Sequence, residues 1–111
     1  MSKVIDIGND FYPRLANRNK FQGDGKHTAE EFREKYLSFL DNEEIWSNDR
    51  TEIELDFKNV RKIGPSFANE AFAYFCKYSE PQKVIKKIKL CNLTDVKKAI
   101  ILEEIESGYN R

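Results

Sequence analysis

The chain has few of the residues that interrupt or crosslink a fold. Its 111 residues include 3 Pro and 5 Gly, too few for a hinge, a Pro-rich linker or a low-complexity tract. There are 2 Cys, Cys76 and Cys91, and 1 His, His27, none at a spacing that assembles a zinc site, so both thiols read as buried and neither metal nor cofactor is expected. A net field is also missing: Lys+Arg 19 cancels Asp+Glu 19. No overall potential draws the chain to DNA, RNA or an acidic membrane, and nucleic acid is a minor reading. The opening segment reaches a charge after Val4-Ile5, and no later run approaches the ~18 apolar residues of a membrane helix. These absences point to a cytoplasmic, soluble protein and leave homo-oligomerisation open.

What is present suffices for one core. Hydrophobic residues make up 40% and aromatics 13%, with 8 Phe, which fits one domain over residues 1–111 that buries roughly 65% of its unfolded surface. The periodicities alternate. Lys3 to Ile7 reads as a strand. Thr28-Ala29-Glu30-Glu31 is a capping box, and Phe32, Tyr36, Phe39 and Leu40 follow it at one-face helical spacing to a stop near Asp41-Asn42. A polar link around Trp46 leads to Glu52-Ile53-Glu54-Leu55-Asp56-Phe57, whose strict alternation marks a strand with one wet side. Lys58-Asn59 reads as a turn before Val60-Arg61-Lys62-Ile63, and a helix is expected from about Ser66 to Tyr78, ended by Ser79-Glu80-Pro81.

A Lys/Ile-rich strand is expected from about Lys83 to Leu90, with Ile88 and Leu90 on one side and Lys87 and Lys89 on the other. A last helix runs from about Asp95 to Ser107, with Val96, Ile100 and Glu103 near one line, Ala99, Leu102 and Ile105 near another, and Gly108 as its stop. The order predicts an α/β domain with a largely parallel sheet and right-handed crossovers. If the acidic row Glu52, Glu54, Asp56 and the basic pair Lys87, Lys89 occupy neighbouring strands, opposite charges pair across the ladder, which places the helices mainly on one face.

Four segments invite chemistry. Gly23-Asp24-Gly25-Lys26-His27-Thr28 suggests a phosphate loop, but His27 separates Lys26 from Thr28, and Lys20 stands where the first Gly belongs; a turn plus cap is the simpler reading. The acidic row reads as a solvated sheet face, and the seven Lys between Lys77 and Lys98 as a soluble surface. Ile63-Gly64-Pro65-Ser66-Phe67-Ala68-Asn69-Glu70 lies at a strand-to-helix junction. There Ser66 reads as a helix N-cap, as a hydroxyl that a kinase can modify, or as both at once.

At this junction the chain resembles the bacterial STAS-like domain family, relatives in fold of the sulfate-transporter and anti-sigma-factor-antagonist domains. The likeness runs through Arg14-Leu15-Ala16-Asn17-Arg18, the Gly-containing loop into Thr28-Ala29-Glu30-Glu31-Phe32-Arg33, Ile53 to Phe57, and above all Ile63 to Phe72. It implies a STAS-like mixed, mostly parallel sheet with helices. In anti-sigma-factor antagonists a Ser at this point is phosphorylated by a partner of the histidine-kinase-like ATPase type, and by position Ser66 matches it. Antagonists usually carry Asp-Ser-Ser-Gly where this chain has Gly64-Pro65-Ser66-Phe67. The resemblance implies a non-enzymatic binding module that docks on an ATPase or kinase through Gly64, Pro65, Ser66, Phe67, Asn69 and Glu70, aided by the loop around Gly25 and His27. The alternative is a constitutive subunit of a regulatory or defence complex, without phosphorylation.

Overall fold

The computed structural model of the protein describes residues 3–16 and 27–110. β1 (Lys3–Asp6) turns directly into a one-turn helix, α1 (Ile7–Asp10), whose cap is the Asp6 carboxylate accepting from the Asn9 backbone N–H. A two-residue strand, β2 (Arg14–Leu15), follows. α2 (Ala29–Phe32) opens a longer helical run that continues as a π-turn over Arg33–Leu37 and a 3₁₀ turn over Ser38–Leu40. A 3₁₀ segment, Glu43–Ser47, precedes β3 (Ile53–Asp56). β4 (Lys62–Ile63) then leads into α3 (Pro65–Phe72), which tightens into a 3₁₀ stretch over Ala73–Lys77. α4 (Pro81–Lys87), β5 (Ile88–Cys91) and α5 (Asp95–Tyr109) complete the chain.

β1, β3 and β5 form a parallel sheet in that order, with Ile5, Leu55 and Leu90 in register. Both crossovers step the same way across the sheet, and right-handed connections then put every intervening helix on one face. Burial agrees: Ile5, Ile53, Leu55 and Ile88 are sealed, while Val4 on the opposite face is 59% exposed. On that open face Glu54 stands opposite Lys89, as the alternation of charges predicts, and the two make a loose ion pair at 3.8 Å. Such an exposed pair contributes at most about 1 kcal/mol. β2 and β4 form a second, two-stranded parallel sheet. The core between sheet and helices is aromatic: Phe32, Phe57, Phe67, Phe72 and Phe75 are all fully buried, each contributing roughly 1.5–3 kcal/mol by burial.

Several expectations are corrected. The stretch Lys83 to Lys87 is the body of α4, and the strand begins only at Ile88. Pro81 at the first helical position presets the helix, which periodicity in so short a Lys/Ile run does not reveal. Lys87 is therefore not on a wet strand face: it is fully buried, its ammonium donating to the Asn48 carbonyl at 2.9 Å and to Asn48 Oδ1 at 2.7 Å. Burial lowers its pKa from the usual lysine value. Trp46 is no polar link but core, stacked on Phe75 and Tyr78 with its indole N–H bonded to the Leu40 carbonyl. Gly108 does not stop α5. It lies inside the helix, where a Cβ would sit 2.5 Å from that of Ala73, so its lack of a side chain permits close helix packing. Ile101 and Ile105 form the buried stripe of α5, and Val96 is 71% exposed. Both cysteines are half-buried.

The π-turn accounts for the remaining correction. Its i→i+5 bonding widens the helix, so the inward position after Phe32 falls at Leu37, and Phe39 rotates outward. Leu37→Ala is expected to destabilise by about 2–5 kcal/mol. Phe39→Ser should change stability by no more than about 0.5 kcal/mol. Urea unfolding of the two variants measures both values, and the opposite order would restore an uninterrupted α-helical phase.

Candidate functional site

The junction around Ser66 is built by β4 and its partner. The Arg61 N–H donates to the Pro13 carbonyl at 2.7 Å and the Gly64 N–H to the Leu15 carbonyl at 2.8 Å, so β2 holds β4 up to the point where α3 begins. Gly64 is the N-cap residue, in extended conformation and without a side-chain cap, and Pro65 occupies the first turn. Ser66 follows one position inside the helix, so it is not the capping residue. The chain places true hydroxyl caps elsewhere: Thr28 Oγ1 accepts from the Glu31 N–H at 3.1 Å and Thr94 Oγ1 from the Lys97 N–H at 3.2 Å. The Thr28 cap is the one its sequence box predicts.

α3 divides the expected docking residues into two groups. Pro65 is exposed, and Gly64 and Ser66 are half-buried. Phe67 and Asn69 face inward, at 0% and 6% exposure. Phe67 belongs to the core, its ring 5.8 Å from Phe32 and 6.5 Å from Phe11, so neither it nor Asn69 offers a surface to another molecule. Glu70 is half-buried and bridges to Arg33 at 3.2 Å, beneath an Arg33 guanidinium that also lies 3.9 Å over the Tyr74 ring. Gly25 lies outside the described residues. His27 stacks on Tyr12 with centroids 4.0 Å apart and meets the edge of Phe11 at 5.5 Å. Phe11 thus touches both His27 and Phe67, which brings the end of the Gly-containing loop beside the first turn of α3.

Sequence reasoning did not single out the cations around this junction. Arg14 and Lys62 are directly opposite in the β2–β4 register and both are exposed. Adjacent like charges repel, so this pair adds no stability and raises the local positive potential. Nothing in two two-residue strands reveals that pairing by periodicity.

A second cluster lies at the far end of the helical layer. The Asp41 carboxylate accepts from the Tyr74 hydroxyl at 2.7 Å and from the Tyr78 hydroxyl, and Lys77 Nζ lies 3.4 Å away. The two phenols, Tyr74 first, hold the Asp41 pKa down to about 2. The hydrogen bond to Asp41 pushes the Tyr78 hydroxyl up, and the bond to Tyr74 pushes Lys77 up. Every shift leads away from neutrality, so this cluster fixes charges and is not poised for proton exchange near pH 7. Beside it a cavity of about 140 Å³ is lined in part by Arg33, Leu37, Asp41 and Tyr74. Among the described residues, no three His, Cys, Asp or Glu side chains gather as a metal site would require, and no helix is long and apolar enough to cross a membrane.

A mixed α/β arrangement with a parallel sheet and helices on one face is consistent with a STAS-like fold. The chain belongs to the family described as STAS-like domain of unknown function (DUF4325), whose model matches residues 28–98. Searches of curated proteins and of solved structures return no significant match.

Two outcomes follow from this geometry. Ser66→Ala removes no cap and should leave stability within about 0.5 kcal/mol, whereas Thr94→Ala should cost about 1 kcal/mol; thermal unfolding of the pair distinguishes them. The lowered Asp41 pKa makes a contribution that is fully present above the ordinary carboxylate value of 3.8 and is lost as pH falls through about 2. Asp41→Asn should therefore flatten the stability-against-pH curve between those limits, and an unchanged acid limb would show that the phenol bonds do not form in solution.

Proposed function

We propose that the domain is a non-enzymatic, cytoplasmic regulatory module that docks on a protein partner of the histidine-kinase-like ATPase type and is switched by phosphorylation of Ser66. The observation that carries this reading is the placement of Ser66. Its half-exposed side chain follows an exposed Pro65, and its hydroxyl does no capping work in the fold. Burial of Phe67 and Asn69 narrows the docking surface to Gly64, Pro65, Ser66 and the Arg33-paired Glu70, with His27 nearby. A phosphate on Ser66 adds about −1.5 to −2 charges at a helix start, where the macrodipole tolerates them. It leaves the domain folded while opposing burial of that surface against a partner, because the new charge must be desolvated.

A second reading, a constitutive interaction subunit, is favoured by one feature: Gly64-Pro65-Ser66-Phe67 stands where antagonists carry Asp-Ser-Ser-Gly. Intact mass spectrometry of the chain purified from its native cells separates the two. The switch predicts a fraction heavier by about 80 Da, one phosphate, that maps to Ser66 and disappears in Ser66→Ala. For partner binding the switch predicts that Ser66→Asp weakens the complex at least about tenfold and that Ser66→Ala retains it, read by isothermal titration against the co-purified ATPase. Equal affinity of both variants, with no mass shift, would leave the constitutive subunit.

A further inference from the structure

The two-stranded sheet beside Ser66 presents a rung of like charge. In the parallel β2–β4 register Arg14 stands directly opposite Lys62, and Leu15 opposite Ile63. Leu15 and Ile63 are sealed in the core, whereas Arg14 and Lys62 are exposed. Alternation along both strands therefore sends the two cations out on the same face. Like charges directly opposite one another cost stability. Among the described residues, no carboxylate lies within 4.0 Å of either charge to relieve the repulsion. The neighbouring acids bond elsewhere. Asp10 accepts from the Asp6 N–H at 3.1 Å, Asp56 from Asn92 Nδ2 at 2.9 Å, and Glu70 pairs with Arg33 at 3.2 Å. These carboxylates keep their charges, two of them at the ends of β1 and β3 and the third against Arg33, so the positive rung is a local feature of a chain with no net charge.

The rung is continuous with the docking surface around Ser66. The Pro13 carbonyl accepts from the Arg61 and Lys62 N–H groups at 2.7 and 3.3 Å, and the Leu15 carbonyl from the Gly64 N–H at 2.8 Å, so the backbone beneath the two cations is held on both sides of the rung. A Cβ on Gly64 would lie 3.9 Å from the Ala16 Cα. The end of β2 thus abuts the residue at which α3 starts, and the same pair of strands leads from the two cations to the exposed Pro65 and the half-buried Ser66.

We propose that this rung meets an acidic polypeptide segment of the partner, with Arg14 and Lys62 each taking a carboxylate. The contact rests on the domain being a docking module, as proposed above, and adds the chemistry of the partner's side. Carboxylates suit both cations: arginine offers a planar fork that a carboxylate matches in bidentate fashion, and lysine a point charge. Acids three or four residues apart on a helix stand about 5–6 Å from each other, close to the separation of about 4.8 Å between paired strands. Their arrival relieves a repulsion that the unbound domain carries. Protein fits this face better than nucleic acid does. A polyanion is drawn by many phosphate contacts at once, whereas the rung is two cations wide and the acids at the ends of β1 and β3 repel a strand that runs past it.

Proton–nitrogen NMR of the full chain, titrated at low, constant ionic strength with a hexaglutamate peptide, tests the contact. The expected result is a set of saturable shifts centred on the Arg14, Lys62, Gly64 and Ser66 amides, with none from a hexaglutamine peptide. Arg14→Gln combined with Lys62→Gln should weaken peptide binding at least about fivefold, the scale of two exposed ion pairs. The same double variant should keep or raise its unfolding temperature, because it removes a repulsive rung; a fall would mean that the two side chains serve the fold and would overturn the proposal. Shifts that grow without saturation, that persist in the double variant, or that centre on Lys83 and Lys86 would overturn it too. So would a single-stranded oligothymidylate that shifts the same amides at lower concentration, which assigns the face to nucleic acid, or shifts on concentrating the chain alone, which assign it to a second copy. Ser66→Ala should bind the peptide as the parent chain does. A chain never phosphorylated on Ser66 loses the switch while these shifts remain, and a phosphorylated chain without them loses the acidic contact alone.

Discussion

Burial of Phe67 decides how the first turn of α3 faces the world. Its ring packs against Phe32 and Phe11 with no exposed surface, and the helix cannot rotate without breaking that contact. Removing such a side chain typically costs about 3–5 kcal/mol, more than any alternative placement of the neighbouring polar groups could return. Successive helical residues lie about 100° apart, so a buried Phe67 turns Ser66 toward the rim. Pro65 lies further out. Asn69 stands about 200° from Phe67 around the helix, and its burial comes from another neighbour, α5, where Gly108 lies beside its side chain. The exposure of Ser66 follows from the anchoring of the residue after it.

That anchor also links segments distant in sequence. Phe32 comes from α2, which Thr28 caps, and Phe11 from the turn after α1, which Asp6 caps. Both caps fix where their helices start and hence where the two rings stand. His27 directly precedes the Thr28 cap and stacks on Tyr12, so the loop end is tied to the same aromatic group. The surface formed by Gly64, Pro65, Ser66 and His27 is thus assembled by local capping and one shared core cluster, with no dedicated framework of its own.

Where local chemistry is strong, the sequence foretells the structure. The Thr28 box, the alternation of Ile53 to Phe57 and the charge match of Glu54 with Lys89 all depend on neighbours or on one ladder, and each is found. Errors arise where tertiary packing overrides a local pattern. Phe39 sits at ideal spacing for an α-helix, but the π-turn changes the period beneath it. Gly108 has the composition of a helix stop, yet it is spent on a close approach to Ala73 that no one-dimensional reading contains. Phe67 and Asn69 qualify by motif position, yet both are buried, Phe67 against Phe32 and Asn69 on a different side of α3, beside Gly108. Arg14 and Lys62 become neighbours only through strands of two residues, too short for any periodicity to announce.

Lys87 shows how a local misreading hides a structural requirement. Read as a strand residue it alternates with Ile88 and belongs in water; as the last residue of α4 it points into the domain, where an ammonium is costly unless it is hydrogen-bonded. Asn48 supplies two acceptors at once, its carbonyl and its side-chain oxygen, and both come from the segment that leads into β3. The Lys87 carbonyl in turn accepts from the Glu52 N–H at 2.9 Å, which begins the β3–β5 ladder. One residue therefore ties the end of α4, the approach to the central strand and the first rung of the edge strand. Its lowered pKa reflects a net penalty on the charged form, so it destabilises the fold at neutral pH, and the penalty eases as pH rises toward the ordinary lysine value. The backbone carbonyl of the same residue opens the register that aligns Asp6, Asp56 and Cys91 along one edge.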